Sequence, residues 1–382
     1  MERLQKACEA LRKHDIAACI VTSHENIAYV TDFDMPLPIG SGVDFALGLP
    51  LAFAILETGT QKVHMVLQAG LVSGIAPQPG LQLHSYSSFD HWRFIDPAVD
   101  LHTAMDAALS NIPSPAQWGM EPHTLPLVIW EHIRQAWPNA TCVDAYPALF
   151  SARATKTPAE LSALRKSSLA VDAAQKALND CAQAYGMNEF EIWVKCVDAA
   201  SRVCGAPAVV SGELVTGDRC AVVNYPGGPK DYVVQKGDMG IMDFSVRLNG
   251  YWCDCCNTVV FGGKPSPYQQ KYPDVTKAAF EASVKAMRPG VRCCDIYKAA
   301  ETAYARYGES VPHYIGHQIG ATVNEGPRIV PYDETVLEEG MVFSLEPGCY
   351  EGPGGRFGSR NEKMVYLWAD GCEVLNQFAW GC

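Results

Sequence analysis

The sequence predicts two domains, an α/β domain over residues 1–152 and an α+β domain over residues 153–382. Three observations carry this reading. At 382 residues the chain exceeds what one hydrophobic core normally organises. The first 150 residues alternate amphipathic helical stretches with short apolar runs, the pattern of an α/β layer with partly parallel strands. Beyond residue 151 two long helical stretches come first and strands then dominate, as in a mainly antiparallel α+β domain.

In the N-terminal half, "MERLQKACEALRKHD" spaces apolar residues as a helix does. "AACIVTS" and "LAFAILE" read as strands, and "AMDAALSNI" and "PLVIWEHIRQAW" as helices. Between the two strands lies the Pro/Gly-rich "DMPLPIGSGVD", residues 34–44, either a surface connector or a flap over a site. The second domain opens with Thr157-Pro158-Ala159-Glu160, an N-cap followed by proline at the first helical position. Further helices are read at "NEFEIWVKCVDAASRVCG", "PDVTKAAFEASVKAM" and "CCDIYKAAETAYARYG".

A net charge of −12 excludes nucleic acid as a partner, because phosphate binding needs clustered Lys and Arg. It argues equally against an anionic membrane surface. The longest apolar run, "LGLPLAFAIL", is too short to span a bilayer and contains Pro50, and the N-terminus lacks the apolar core of a signal peptide. A cytoplasmic protein is expected. Fifteen cysteines in so long a chain, an odd number, read as reduced thiols; Cys8, Cys181, Cys196 and Cys204 fit small buried hydrophobes.

The chemistry concentrates downstream. In "GDMGIMDFSVRLNGYWCDCCNTVVFGG" two β-rich runs flank Asn249-Gly250, a strong turn signal. Asp243 and Asp254 lie equally far from the midpoint between Leu248 and Asn249, so a hairpin closed there makes them cross-strand neighbours. Carboxylates inside apolar strands need partners, and a divalent cation serves two of them better than a shared proton. Strand alternation puts Asp254 and Cys256 on one face and Cys253 and Cys255 on the other. No paired C-x₂-C zinc pattern is present. "PHYIGHQIG" adds His313 and His317, "GMVFSLEPG" adds Glu346, and "GSRNEKMVYL" adds Arg360 and Glu362. Two Asp, two Glu and one His converging on one sheet would form a cage for two Mn²⁺, Fe²⁺ or Co²⁺ ions, with zinc less favoured.

The order Asp-x₁₀-Asp, "GHxxG", "EPG" and "R-x-E" resembles the pita-bread metallohydrolases, the aminopeptidase P, prolidase and creatinase superfamily. "ALRKHDIAACIVTSHENIAYVTDF" resembles the opening of the creatinase-type N-terminal domain, and "KTPAELSALRKS" the junction into the catalytic domain. The resemblance implies a creatinase-like α/β domain followed by a pita-bread domain with a curved, mainly antiparallel sheet. It implies two divalent metal ions on Asp243, Asp254, His317, Glu346 and Glu362. By the same resemblance Glu346 takes the proton of the attacking water, and His313 contacts substrate or the developing oxyanion. It also implies a homodimer, in which one subunit's N-terminal domain overhangs its partner's site.

The departures from that family are chain-specific. Proline-specific members carry histidines where this chain has Asn224 and Asn324, and Gln318 replaces a glycine. After the second Asp, Cys256 and Asn257 stand in place of Thr and Arg. Asparagine hydrogen-bonds but carries no proton near neutral pH. Asn224, Asn324, Cys256 and Arg360 are therefore expected to form an altered surround for the metals and substrate. The leading expectation is a two-metal, Xaa-Pro-peptidase-like hydrolase cutting an amide or other C–N bond in a small molecule or dipeptide. The alternatives are a metal-dependent lyase or other non-peptidase enzyme on the same fold, or a catalytically dead binding module.

Overall fold

The computed structural model describes residues 2–35, 48, 50–223 and 227–382. The chain divides into two compact units, Met1–Arg153 and Ala154–Cys382. Most of the flap segment at 34–44, together with Asn224, lies outside the described residues.

The first unit runs α1 (Glu2–Arg12), β1 (Ala18–Val21), α2 (His24–Thr31), β2 (Ala52–Glu57), β3 (Lys62–Gln68), β4 (Leu81–Tyr86), α3 (Pro97–Leu109), β5 (Gln117–Met120), α4 (Leu127–Ala136), β6 (Thr141–Asp144) and α5 (Tyr146–Ala154). Its six-stranded sheet has the order β4-β3-β2-β1-β5-β6. The β3–β4, β1–β5 and β5–β6 pairs are parallel, whereas β2 meets both β1 and β3 antiparallel. Helices cover both faces, which explains why β1 is buried at all four positions and reads as a continuous apolar run.

The second unit begins with α6 (Pro158–Cys181), where the Thr157 side chain accepts from the Glu160 N–H and Glu160 reaches back to the Thr157 N–H. Asn188 and Glu191 repeat the device at α7 (Glu189–Cys204). Then come β7 (Val209–Thr216), β8 (Met239–Leu248), β9 (Tyr251–Val260), α8 (Pro267–Ala286), α9 (Cys293–Ala305), β10 (Gly316–Gln318), β11 (Glu325–Ile329), β12 (Val342–Leu345), β13 (Gly348–Tyr350), β14 (Gly358–Arg360), β15 (Lys363–Trp368) and β16 (Gly371–Val374). The strands form sheets ordered β7-β8-β9, β11-β10-β12-β15-β16 and β13-β14, all with antiparallel pairs. This matches the α/β and antiparallel α+β classes expected.

One helix differs from the expectation. The sequence suggested a start at Pro273, but α8 begins two turns earlier, where Ser266 and Gln269 form a reciprocal cap and Pro267 opens the helix. Pro273 removes one ladder hydrogen bond; the buried face through Tyr272, Val275 and Ala279 outweighs it.

One face of the β7–β9 sheet is closed by α6 and α7. Leu164, Val171 and Leu178 pack there with Met242, Phe244, Cys253, Cys255 and Val259. The opposite face is left to carry polar residues.

Candidate active site

The β8–β9 hairpin turns at Asn249 and Gly250, with φ of 52° and 79°. A two-residue hairpin turn of this kind requires left-handed conformations, which Asn and Gly tolerate. Leu248 therefore pairs with Tyr251, Ser245 with Asp254, and Asp243 with Cys256. The expected midpoint between Leu248 and Asn249 is corrected by one residue. Pairing shifts by two, so the aspartates stay on one face but become diagonal neighbours. Strand β7 places Glu213 opposite Asp243 on the same face.

His317 lies on β10, Glu346 directly follows β12, and Glu362 directly precedes β15. The five residues do not share one sheet, as expected from sequence, but meet between two. Strand β12 ends at Leu345 and β15 begins at Lys363, and two of the bonds that join the sheets lie here. The Glu362 N–H donates to the Cys256 carbonyl at 2.8 Å, and the Ser344 hydroxyl donates to the Asp254 carbonyl at 2.9 Å.

Two overlapping clusters result. Asp254, His317 and Glu362 offer ligand atoms within 4.8 Å of one another, and so do Asp243, Glu346 and Glu362. His317 Nε2 is 3.2 Å from Glu346 Oε1 and 3.9 Å from Asp254 Oδ2. Its Nδ1 sits 2.9 Å from the Gln318 carbonyl, which holds the Nδ1–H tautomer and leaves the Nε2 lone pair for the centre.

Glu362 is the informative member: it is fully buried, and neither carboxylate oxygen has a hydrogen-bond partner. Burial, then the charges of Asp254, Glu346 and Asp243, push its pKa well above the ordinary range. Burial also raises Asp243 and Asp254. Glu346 goes the other way: burial opposes ionisation, but His317, Arg360 and His313 hold it below the usual value. Three carboxylates and one imidazole around the unsatisfied carboxylate of Glu362 fit hard or borderline divalent cations.

The surrounding wall is built from residues ahead of β10 and from the β13–β14 pair. His313 Nδ1 is 2.7 Å from the Tyr314 carbonyl, and Nε2 is 3.3 Å from the Tyr350 hydroxyl. Burial holds this imidazole below its ordinary pKa. A Cβ at Gly348 would fall 2.5 Å from both His313 Nε2 and the Tyr350 hydroxyl, so the glycine of "EPG" makes their approach possible. Arg360 donates to Asp243 Oδ2 at 2.7 Å and to Glu213. A pocket of about 480 Å³ opens above the clusters. At its rim the exposed Arg328 donates to Asn324 Oδ1 at 3.1 and 3.3 Å, with its guanidinium 5.5 Å from the Tyr314 ring centre. A larger cavity of about 630 Å³ lies in the first unit beside Arg12, Glu57 and Pro113. No three metal-binding side chains converge there among the described residues.

The structure thus assembles Asp243, Asp254, His317, Glu346 and Glu362, with His313, Arg360 and Asn324 on the pocket wall. Cys256 faces Asp243 but is buried with Val215, Cys220 and Ile241, outside both clusters. Asn257 points toward the helices, donating to Asn179 Oδ1 at 2.9 Å and accepting from the Gly381 N–H at 3.0 Å. All fifteen cysteines are free. Sequence reasoning missed Glu213, Tyr314, Arg328 and Tyr350. For Glu213 the available signal was a single acid within the apolar run "VVSGELVTG".

Comparison with known proteins follows the same division. Residues 3–155 match the Creatinase/Prolidase N-terminal domain, and residues 162–368, more than half of the chain, match Metallopeptidase family M24. The Xaa-Pro dipeptidase of Lactobacillus helveticus is 30% identical over 236 residues, 61% of this chain and 63% of that protein. The prolidase from Pyrococcus horikoshii OT3 superposes with a TM-score of 0.78 at 21% identity, covering 100% of this chain and 99% of that one. The Xaa-Pro dipeptidase from Bacillus anthracis gives 0.80 at 19% identity, covering 100% and 98%. These structural likenesses concern the fold; no helix of the described residues is long and apolar enough to cross a membrane. With a creatinase-type first unit and a carboxylate-rich centre in the second, the chain belongs to metallopeptidase family M24.

Proposed function

We propose that this protein is a two-metal hydrolase that cleaves an amide or related C–N bond in a dipeptide or small molecule, with Xaa-Pro dipeptides as the first class to test. The observation that carries the reading is Glu362, shared by both clusters with two partnerless oxygens. Asp254, His317 and Glu362 would hold one divalent cation, and Asp243, Glu346 and Glu362 the other. The oxygen-rich set favours Mn²⁺, Fe²⁺ or Co²⁺ over Zn²⁺. When bound, such ions supply Lewis acidity and an activated water.

The chain's own groups do the rest. Glu346, held ionised, takes the proton of the attacking water. His313, with Nδ1–H on the Tyr314 carbonyl, presents Nε2 beside Tyr350 as the pocket's proton carrier. Of the arginines lining the pocket, Arg360 is tied to two carboxylates, whereas Arg328 meets the neutral Asn324 and is available to a substrate carboxylate. Asn at 224 and 324 favours a shifted specificity, and it keeps a lyase reaction as the second reading.

Turnover in ¹⁸O-labelled water separates them. Hydrolysis of an Xaa-Pro dipeptide by the Mn²⁺- or Co²⁺-loaded protein should release proline and place one labelled oxygen in the new carboxylate. Turnover of any substrate without label in the product would sink hydrolysis. We also infer a cytoplasmic homodimer. The family resemblance supports the dimer, as does the exposure of Trp92 (95%) and Phe94 (93%), and sedimentation of a monomer would overturn it.

A further inference from the structure

Glu213 is a fifth acidic group at the centre, yet it belongs to neither cluster. It faces Asp243 directly across β7 and β8 and is 2% exposed. One oxygen accepts from Arg360, and the other accepts from the Gly227 N–H at 3.1 Å. Both oxygens are therefore committed to protein donors. Arg360 Nη2 also donates to Asp243 Oδ2 at 2.7 Å, so a single guanidinium nitrogen is shared between the two carboxylates. Asp254 has a different partner, the neutral Ser245 hydroxyl at 2.8 Å.

This arrangement has an electrostatic consequence. A guanidinium beside Asp243 draws on the same negative charge that a cation at the Asp243–Glu346–Glu362 position needs, and repels that cation in a low-dielectric pocket. A second carboxylate on the far side of Arg360 offsets the guanidinium charge. We propose that Glu213 is a positioning residue that keeps Arg360 from neutralising Asp243, and so sets the cation affinity of the Asp243–Glu346–Glu362 position alone. The proposal rests on the reading that the two clusters hold divalent cations. The Asp254–His317–Glu362 position, whose own partner is a neutral hydroxyl, is the internal control.

Equilibrium binding of Mn²⁺, followed by calorimetry and by paramagnetic resonance of the free ion, tests it without any substrate. The wild type should bind two ions. Glu213→Gln keeps the shape and removes the charge, and should weaken one of the two sites by roughly tenfold or more while leaving the other within about twofold. Glu213→Asp restores the charge on a shorter arm and should recover part of the loss. Unchanged affinities in Glu213→Gln, or an equal fall at both sites, would overturn the proposal. A wild type that binds no Mn²⁺ overturns the two-ion reading and this proposal with it; two ions bound with variants unaffected overturns this proposal alone. Should Glu213→Gln not fold by circular dichroism, Glu213→Asp carries the test, since retracting the charge must weaken the same single site.

Discussion

At the residue scale, the site is defined by what each side chain lacks as much as by what it touches. Glu362 has two buried oxygens and no donor, whereas every oxygen of Glu213 is satisfied. Glu362→Gln should therefore remove both ions at once and lower turnover by about three orders of magnitude, since Lewis-acid stabilisation amounts to several kcal/mol. Metal content per chain, measured beside kcat, checks it; two ions retained would contradict the shared role. Cys256 gives the opposite expectation. It packs among apolar side chains outside both clusters, so Cys256→Ser should cost about 1–3 kcal/mol in denaturant unfolding without changing metal content. Asn324→His returns an imidazole to the pocket rim beside Arg328. If loss of proton transfer has shifted the specificity, this variant should raise Xaa-Pro turnover by at least about tenfold. No gain would remove Asn324 as a determinant of specificity.

At the scale of elements, two strands and their turn carry the aspartates, and two helices hold those strands from behind. The turn depends on Gly250 at φ 79°, a conformation that costs an L-residue roughly 1–2 kcal/mol. Gly250→Ala should lower unfolding stability by about that amount. The helix behind the hairpin starts at a reciprocal cap. Thr157→Ala should cost about 1 kcal/mol by urea unfolding while Mn²⁺ affinity stays constant, because the Thr157 hydroxyl serves the Glu160 N–H and belongs to neither cluster. A loss of Mn²⁺ affinity would show that α6 positions the aspartates directly.

At the scale of the whole molecule, the centre couples stability to pH. Burial and mutual charge raise Asp243, Asp254 and Glu362 above ordinary carboxylate values. A carboxylate whose folded pKa exceeds its unfolded value stabilises the fold below the unfolded value, near about 4. That stabilisation is lost as pH rises through the raised folded value. Glu346 is lowered and His317 raised by their contact, which offsets part of the effect until the imidazole deprotonates. The metal-free protein should thus lose thermal stability as pH rises from about 4 to neutral, and the gap in Tm to the Mn²⁺-loaded protein should widen. Glu362→Gln in the metal-free state should flatten that slope; an unchanged slope would show that the cluster is not its source.

Local patterns in the chain determined much of this protein. Alternation on β9 separated Asp254 from Cys253 and Cys255, the cap at Thr157 opened the helix that follows it, and spaced motifs named the five cluster residues. Each of these is a property of a short segment, legible because side-chain direction repeats every two residues in a strand. Only the tertiary structure decided the rest. The turn fell one residue later than symmetry suggested because positive φ belongs to Asn249 and Gly250, which made the aspartates diagonal. Glu213, on a strand separated from Asp243 by a long connection, and Arg328, at the rim, entered the site by strand pairing and sheet apposition. The partnerless state of Glu362 is likewise a fact about everything that surrounds it. Long-range pairing and burial are not written in any one segment, and they determine which charges meet.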